Sequence, residues 1–214
     1  VQTLGLDPSL TNFGWALHDS EAAGKARCIE RGRFQTSSKT LFTDRYCDLR
    51  ESLRALLQRT GVLRVGVEYP VFNDLYSEGM YGLFLYTCEA LRLEKRDIVF
   101  FSPMQVKAHA RLSLGRPPNW KMLKPDMVEA AKVDAGGKGT WNHNEADAYL
   151  VARTAARFWS LFDGSLTEED LTVPEKHQFA SIHTFKRGKR AGETVHRGIV
   201  YREDERFFQW TKDL

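Results

Sequence analysis

The stretch LGLDPSLTNFGWAL, residues Leu4 to Leu17, runs from an apolar segment into a carboxylate, a Pro-Ser step and a polar turn before becoming apolar again. Thr3, Leu4 and Leu6 have the spacing of a short buried strand, Asn12-Phe13-Gly14 reads as a turn, and Trp15 to His18 as a second strand. Asp7 then sits at the mouth of a hairpin. An Asx-type turn bonding the backbone around Ser9 would account for that residue by itself. Its role therefore depends on which other carboxylates the chain brings to the same place.

Outward from the hairpin, Ala26 to Thr36 reads as a third antiparallel strand. Leu41 to Thr60 switches to helical spacing, with Phe42, Tyr46, Leu49, Leu53, Leu56 and Leu57 at steps of three and four and Gly61 as the C-cap. Val62 to Pro70 is a β-branched strand that again ends on a carboxylate, Glu68. Leu75 to Leu93 reads as a long helix and Asp97 to Phe101 as a buried strand. Three antiparallel strands followed by alternating helix and strand predict an α/β fold: a mixed five-stranded sheet flanked by helices. Beyond Phe101 the pattern is helical, with Pro103 near one helix start, a loop from Gly115 to Trp120, a helix from Pro125 through Lys132, and a last core helix from about Asn144 to Phe162. After Asp163 a polar loop gives way to β-like segments. Residues 1–162 are thus expected to form the core domain and 163–214 a β-rich C-terminal extension.

Composition narrows the class. The 214 residues carry a formal net charge of +3, a mild value that does not announce a nucleic-acid binder. No stretch approaches the ~20 apolar residues of a membrane span, and nothing at the start resembles a signal peptide, so a cytoplasmic protein is expected. Cys28, Cys47 and Cys88 are far apart in amphipathic stretches, which favours reduced core thiols over a zinc cluster or disulfides. One basic turn, with Lys186, Arg187, Lys189 and Arg190 around a glycine, is either a solvated turn or one that touches phosphate.

The helix from Asn142 to Trp159 supplies the deciding feature. Counting from Asp147, Leu150, Val151, Thr154 and Phe158 fall at steps of three, four, seven and eleven, so Asp147 lies on the sheet-facing side. A carboxylate there is costly unless an arginine or a metal ion meets it. Complementing the helix dipole, the bland alternative, is worth only ~0.3–1 kcal/mol. Asp7 and Glu68 become neighbours if their strands pair in parallel, and the start of the last helix then covers the same edge. Converging hard oxygen ligands suit Mg²⁺ or Mn²⁺, and a pair of such ions ~3.5–4 Å apart is the common device of in-line phosphodiester hydrolysis. No organic cofactor is called for.

At this point the sequence resembles the RuvC-like Holliday-junction resolvases of the RNase H-like superfamily, especially phage-type members. The matching segments are LGLDPSLTNFGWAL, VGVEYPVF and NEADAYLVA, spread over residues 1–162. The resemblance implies an RNase H-like sheet, two divalent ions held by Asp7, Glu68 and Asp147, branched DNA as substrate and a homodimer in a bacterial or phage-infected cell. It also maps basic residues that approach the scissile phosphate onto Lys107, in MQVK, and Lys124, in a loop longer than the family's. Tyr69 and Phe72 could stack on a splayed base, although core packing explains either one alone. Many relatives carry a fourth acidic or histidine ligand three residues before the last Asp. Here that position is Asn144, with His143 and Glu145 one step out of register.

Several alternatives remain open from sequence: a nuclease for flap or fork DNA or structured RNA, and a catalytically impaired branched-DNA binding protein, which Asn144 favours. A sugar-kinase-like ATPase would need a second lobe for which the chain has no room.

Overall fold

The computed structural model describes residues 2–21, 27–70, 77–117, 119–136, 139–179 and 182–209, apart from 185, 190, 193, 197, 198, 203 and 204. The first three strands, β1 (Gln2–Asp7), β2 (Asn12–Asp19) and β3 (Cys28–Gln35), form an antiparallel meander. Helix α1 (Phe42–Thr60) leads to β4 (Arg64–Glu68), and α2 (Ser77–Leu93) to β5 (Asp97–Phe101). Both strands run parallel to β1, in the order β1-β4-β5. Three helices follow: α3 (Pro103–Ser113), α4 (Lys124–Asp134) and α5 (His143–Phe162).

The expected five-stranded mixed sheet is present as β3-β2-β1-β4-β5, but the full sheet has seven strands. Beyond α5 come a 3-10 turn (Glu168–Asp170), α6 (Val173–Phe179), a small hairpin of β6 (Ile182–Thr184) and β7 (Thr194–His196), then β8 (Ile199–Arg202) and β9 (Glu205–Gln209). Strand β8 pairs antiparallel with β5, so the C-terminal β-rich part continues the main sheet. Helix α6 replaces part of what the sequence reads as loop and strand. Its start is fixed locally, by Glu175 accepting from both the backbone N–H and the hydroxyl of Thr172.

Strand alternation splits the core into two layers. Leu4, Leu6, Val65 and Val67 point to one face and pack with Leu49, Leu53 and Leu57 of α1 and Leu83 of α2. Burying each such Leu contributes ~1.5–3 kcal/mol. Gly61 ends α1 as expected, at φ 63 with its N–H on the Leu57 carbonyl. The other face receives α5, whose Leu150, Val151, Ala155 and Phe158 are buried with Val106, Met127 and Trp141. Two glycines let α5 lie close on the sheet. A Cβ at Gly5 would stand 2.0 Å from the Ala148 carbonyl oxygen, and one at Gly14 2.2 Å from that of Asn144. Any side chain at either position would lift the helix and whatever it carries. No helix among the described residues is long and apolar enough to cross a membrane.

Candidate active site

Strands β1, β4 and β5 run in one direction, so their carboxyl ends share one edge of the sheet. Leu6 pairs with Val67, which sets Asp7 and Glu68 side by side one residue further on. Asp7 also lies opposite Gly14 across the hairpin, and Gly14 is the position against which the first turn of α5 presses. That contact places Asp147, one turn into α5, over the same edge. Asp7 and Glu68 line an open cleft of about 270 Å³ with Pro8, Ser9, Pro70, Met80 and Pro103.

The electrostatics tie the three acids and both lysines together. Burial, then the charges of Glu68 and Asp147, push the Asp7 carboxyl well above the usual aspartate range, with Lys124 pulling the other way. Burial and Asp147 push Glu68 up to about 7, against Lys107. Burial pushes Asp147 up to about 6, against Lys107 and Lys124. Like charges at this edge therefore oppose full ionisation of the three acids. One oxygen of Asp147, Oδ1, is buried without a hydrogen-bond partner. An anionic lone pair left in that condition costs ~1–3 kcal/mol or more.

Among the described residues no three acids, imidazoles or thiols stand close enough together to hold a metal ion as their side chains are placed. The three are instead mutually repelling hard oxygen donors at one sheet edge, with Asp7 and Glu68 in the cleft wall and one oxygen of Asp147 buried without a partner. Such a set fits a small divalent cation.

The neighbouring candidates separate cleanly. Glu145 is committed: it lies 3.3 Å from Arg31 Nε and 3.6 Å from Arg33 Nε, and belongs to the N-terminal cap of α5. Arg31 is itself held over the Trp141 ring at 3.8 Å. Asn144 donates its backbone N–H to the Asn142 side chain and keeps its amide one turn before Asp147. His143 is half-buried, and burial with the charges of Lys124 and Arg33 keeps its imidazole below the usual range. Lys107 is half-buried on α3, and Lys124 is exposed at the start of α4. The Tyr69 ring stands edge-on to Phe84 and Phe100 at 5.2 and 6.1 Å, a packing position. Phe72 and Arg190 lie outside the described residues, and Lys186, Arg187 and Lys189 are exposed.

Sequence reasoning passed over Ser9 and Pro103 in the cleft wall and Arg31 and Arg33 behind Glu145. Pro103 was findable, since it follows a third strand that ends on the same edge.

No family model matches the chain. The crossover junction endodeoxyribonuclease RuvC of Synechocystis sp. is 27% identical over 70 residues, 33% of this chain. The chain thus spans less than half of that relative's length, 42%. In structure, Thermus thermophilus RuvC, solved in complex with a Holliday junction substrate, superposes with a TM-score of 0.62 at 20% identity, over 75% of this chain and 96% of that one. The fold is that of RuvC. A second Thermus thermophilus RuvC structure agrees, with a TM-score of 0.62 at 19% identity over 76% of this chain and 97% of that one. On this RuvC fold the acidic cleft occupies the carboxyl edge of the parallel strands, where open α/β sheets place their ligands.

Proposed function

We propose that the chain is a metal-dependent, structure-selective endonuclease that hydrolyses phosphodiesters in four-way or otherwise branched DNA. The observation that carries this reading is the meeting of Asp7, Glu68 and Asp147 at one sheet edge, within the field of Lys107 and Lys124, on a RuvC fold. Asp7 and Glu68 are fixed by sheet register and Asp147 by the close seat of α5, and these three acids would hold Mg²⁺ or Mn²⁺, with Asn144 or His143 as a neutral neighbour. When bound, such ions stabilise charge on the phosphate and acidify a water at neutral pH. Lys107 and Lys124 bring positive charge to the phosphate's approach, and the Lys186, Arg187, Lys189 and Arg190 turn adds backbone contacts without reading sequence.

Paired nicking needs two copies. Along α2, Tyr81 and Leu85 leave an exposed apolar pair one turn apart, which we assign to a two-fold homodimer. Such an enzyme would work in the cytoplasm of a bacterial or phage-infected cell.

The test is cleavage of four-way junction, flap and linear duplex DNA and structured RNA with Mg²⁺ or Mn²⁺. Paired symmetrical nicks confined to the junction are expected. Tight junction binding with no cutting in either metal would instead establish the second reading, a binding protein impaired at Asn144. A readout independent of activity is melting: Mn²⁺ should raise the Tm of the native chain and leave that of Asp147→Asn unmoved.

A further inference from the structure

Between β5 and α4 the chain changes character. From Ile98 to Pro125 it carries five Lys or Arg residues, Lys107, Arg111, Arg116, Lys121 and Lys124, and no Asp or Glu. This run ends at Lys124, whose charge acts on Asp7 and Asp147. The loop after α3 is held at both ends. Gly115, at φ 59, stops the helix with its N–H on the Leu112 carbonyl while Arg116 bonds back to Arg111. On the far side Met122 is 5% exposed and packed in the core with Met127 and Trp141.

Between these anchors Trp120 is displayed rather than buried. It is 42% exposed, and Leu123, three residues on, is 55% exposed. A turn, Trp120 N–H to the Pro117 carbonyl at 2.9 Å, fixes its backbone, and the Arg116 guanidinium lies over the indole at 4.8 Å. A large aromatic held open in a purely cationic stretch has the makings of a single-strand stacking site, where bases lie on a ring and cations meet the backbone.

We propose that Trp120, braced by Arg116, is a stacking platform for a base unpaired at the branch of the DNA. The inference rests on the nuclease reading for the identity of the polymer. Arg116 and Lys121 meet the flanking phosphates, and Leu123 adds apolar surface beside the ring.

The test uses the full chain in EDTA, so that nothing is cut, with a four-way junction carrying 2-aminopurine at the branch and a fully paired duplex of the same sequence. Trp120→Ala should weaken junction binding about 5- to 150-fold and abolish the 2-aminopurine fluorescence change, with duplex binding and Tm unmoved. Trp120→Phe should restore most of both. Arg116→Ala should also lower the salt slope by about one charge. Equal loss on junction and duplex, or an unchanged 2-aminopurine signal in Trp120→Ala, would overturn the platform. Its failure is separable from that of the nuclease: Asp147→Asn with Mn²⁺ reports on cutting, whereas the 2-aminopurine signal is read in EDTA, where no cutting occurs.

Discussion

Helix α5 meets buried carboxylates at both of its ends. Near its start Asp147 stands with Asp7 and Glu68, and no described cation forms an ion pair with any of the three. Further along the helix Arg153 Nε meets Asp134 at 2.6 Å, with the Tyr149 hydroxyl at 2.7 Å, and toward the other end Arg157 grips Glu175 through two bonds of 2.8 and 3.0 Å. Burial pushes Glu175 up, but Arg157, the Thr172 backbone and His109 outweigh it and bring its carboxyl down to about 2. One end solves the desolvation of its acids with protein groups and gains a joint between α5 and α6. The other leaves the problem open, as a site does when an external ion and substrate are to complete it.

The largest break in this comparison is expected at the open end. Asp7→Asn, Glu68→Gln or Asp147→Asn should each lower junction cleavage by about 10³-fold or more, some 4 kcal/mol. Junction binding and metal-free Tm should stay level or rise, since each change removes a repelling charge. Parallel loss of cutting, binding and Tm in all three variants would move these acids into the structural class.

Glu175→Gln makes the reverse experiment. It leaves Arg157 facing a weaker partner and should cost about 2–3 kcal/mol in denaturant unfolding, below the ~3–5 of fully buried pairs because Arg157 is about a third exposed. Cleavage per folded molecule should be unchanged.

Acidity sharpens the same contrast. Glu68 rises from its ordinary 4.5 to about 7 and Asp147 from 3.8 to about 6, so across that window the folded chain binds more protons than the unfolded one. Metal-free stability therefore falls as pH climbs from about 4 to 7. Burial lowers His109 to about 3, and Glu175 lies at about 2. There the unfolded chain binds more protons, below 6.5 for the imidazole and below 4.5 for the carboxyl, so this end loses stability as pH drops. Melting in EDTA from pH 3 to 8 should show Asp147→Asn flattening the descent toward neutral pH and Glu175→Gln flattening the acid limb. A native profile unmoved by either variant would mean that neither cluster sets the pH dependence.

The open end was legible in sequence because its signals are local. A strand that ends on Asp7, another on Glu68 and a helix whose inward face carries Asp147 can each be read from period alone, and one parallel pairing brings them together. The closed end was not legible. Asp134, Arg153, Arg157 and Glu175 sit on three helices, and nothing in their spacing says that they meet. The same limit hid the sixth strand position. Asp97 to Phe101 reads as a buried strand whether its far edge is bare or paired, and only the returning chain shows Ile98 to Phe100 opposite Ile199 to Tyr201. Trp120 lay in a stretch that reads simply as loop, since sequence does not reveal which loop aromatics turn outward.

The smallest effect concerns Asn144. Its side chain shares a helix face with Asp147, and an amide oxygen offers a divalent ion a donor without charge. Asn144→Asp adds that charge in the first turn of α5, where the helix dipole returns only ~0.3–1 kcal/mol. It also adds a fourth repelling carboxylate to a cluster already holding protons at neutral pH. In EDTA the variant should therefore melt slightly below the native chain at pH 8, and with Mn²⁺ slightly above it. Cleavage at low Mg²⁺ should rise a few-fold, and the preference for Mn²⁺ should narrow. His143→Ala is the matched control, because its imidazole is the other neutral group near the first turn. If His143→Ala abolishes cutting while Asn144→Asp changes neither metal response nor Tm, the neutral ligand is His143, and Asn144 serves the cap of α5 alone.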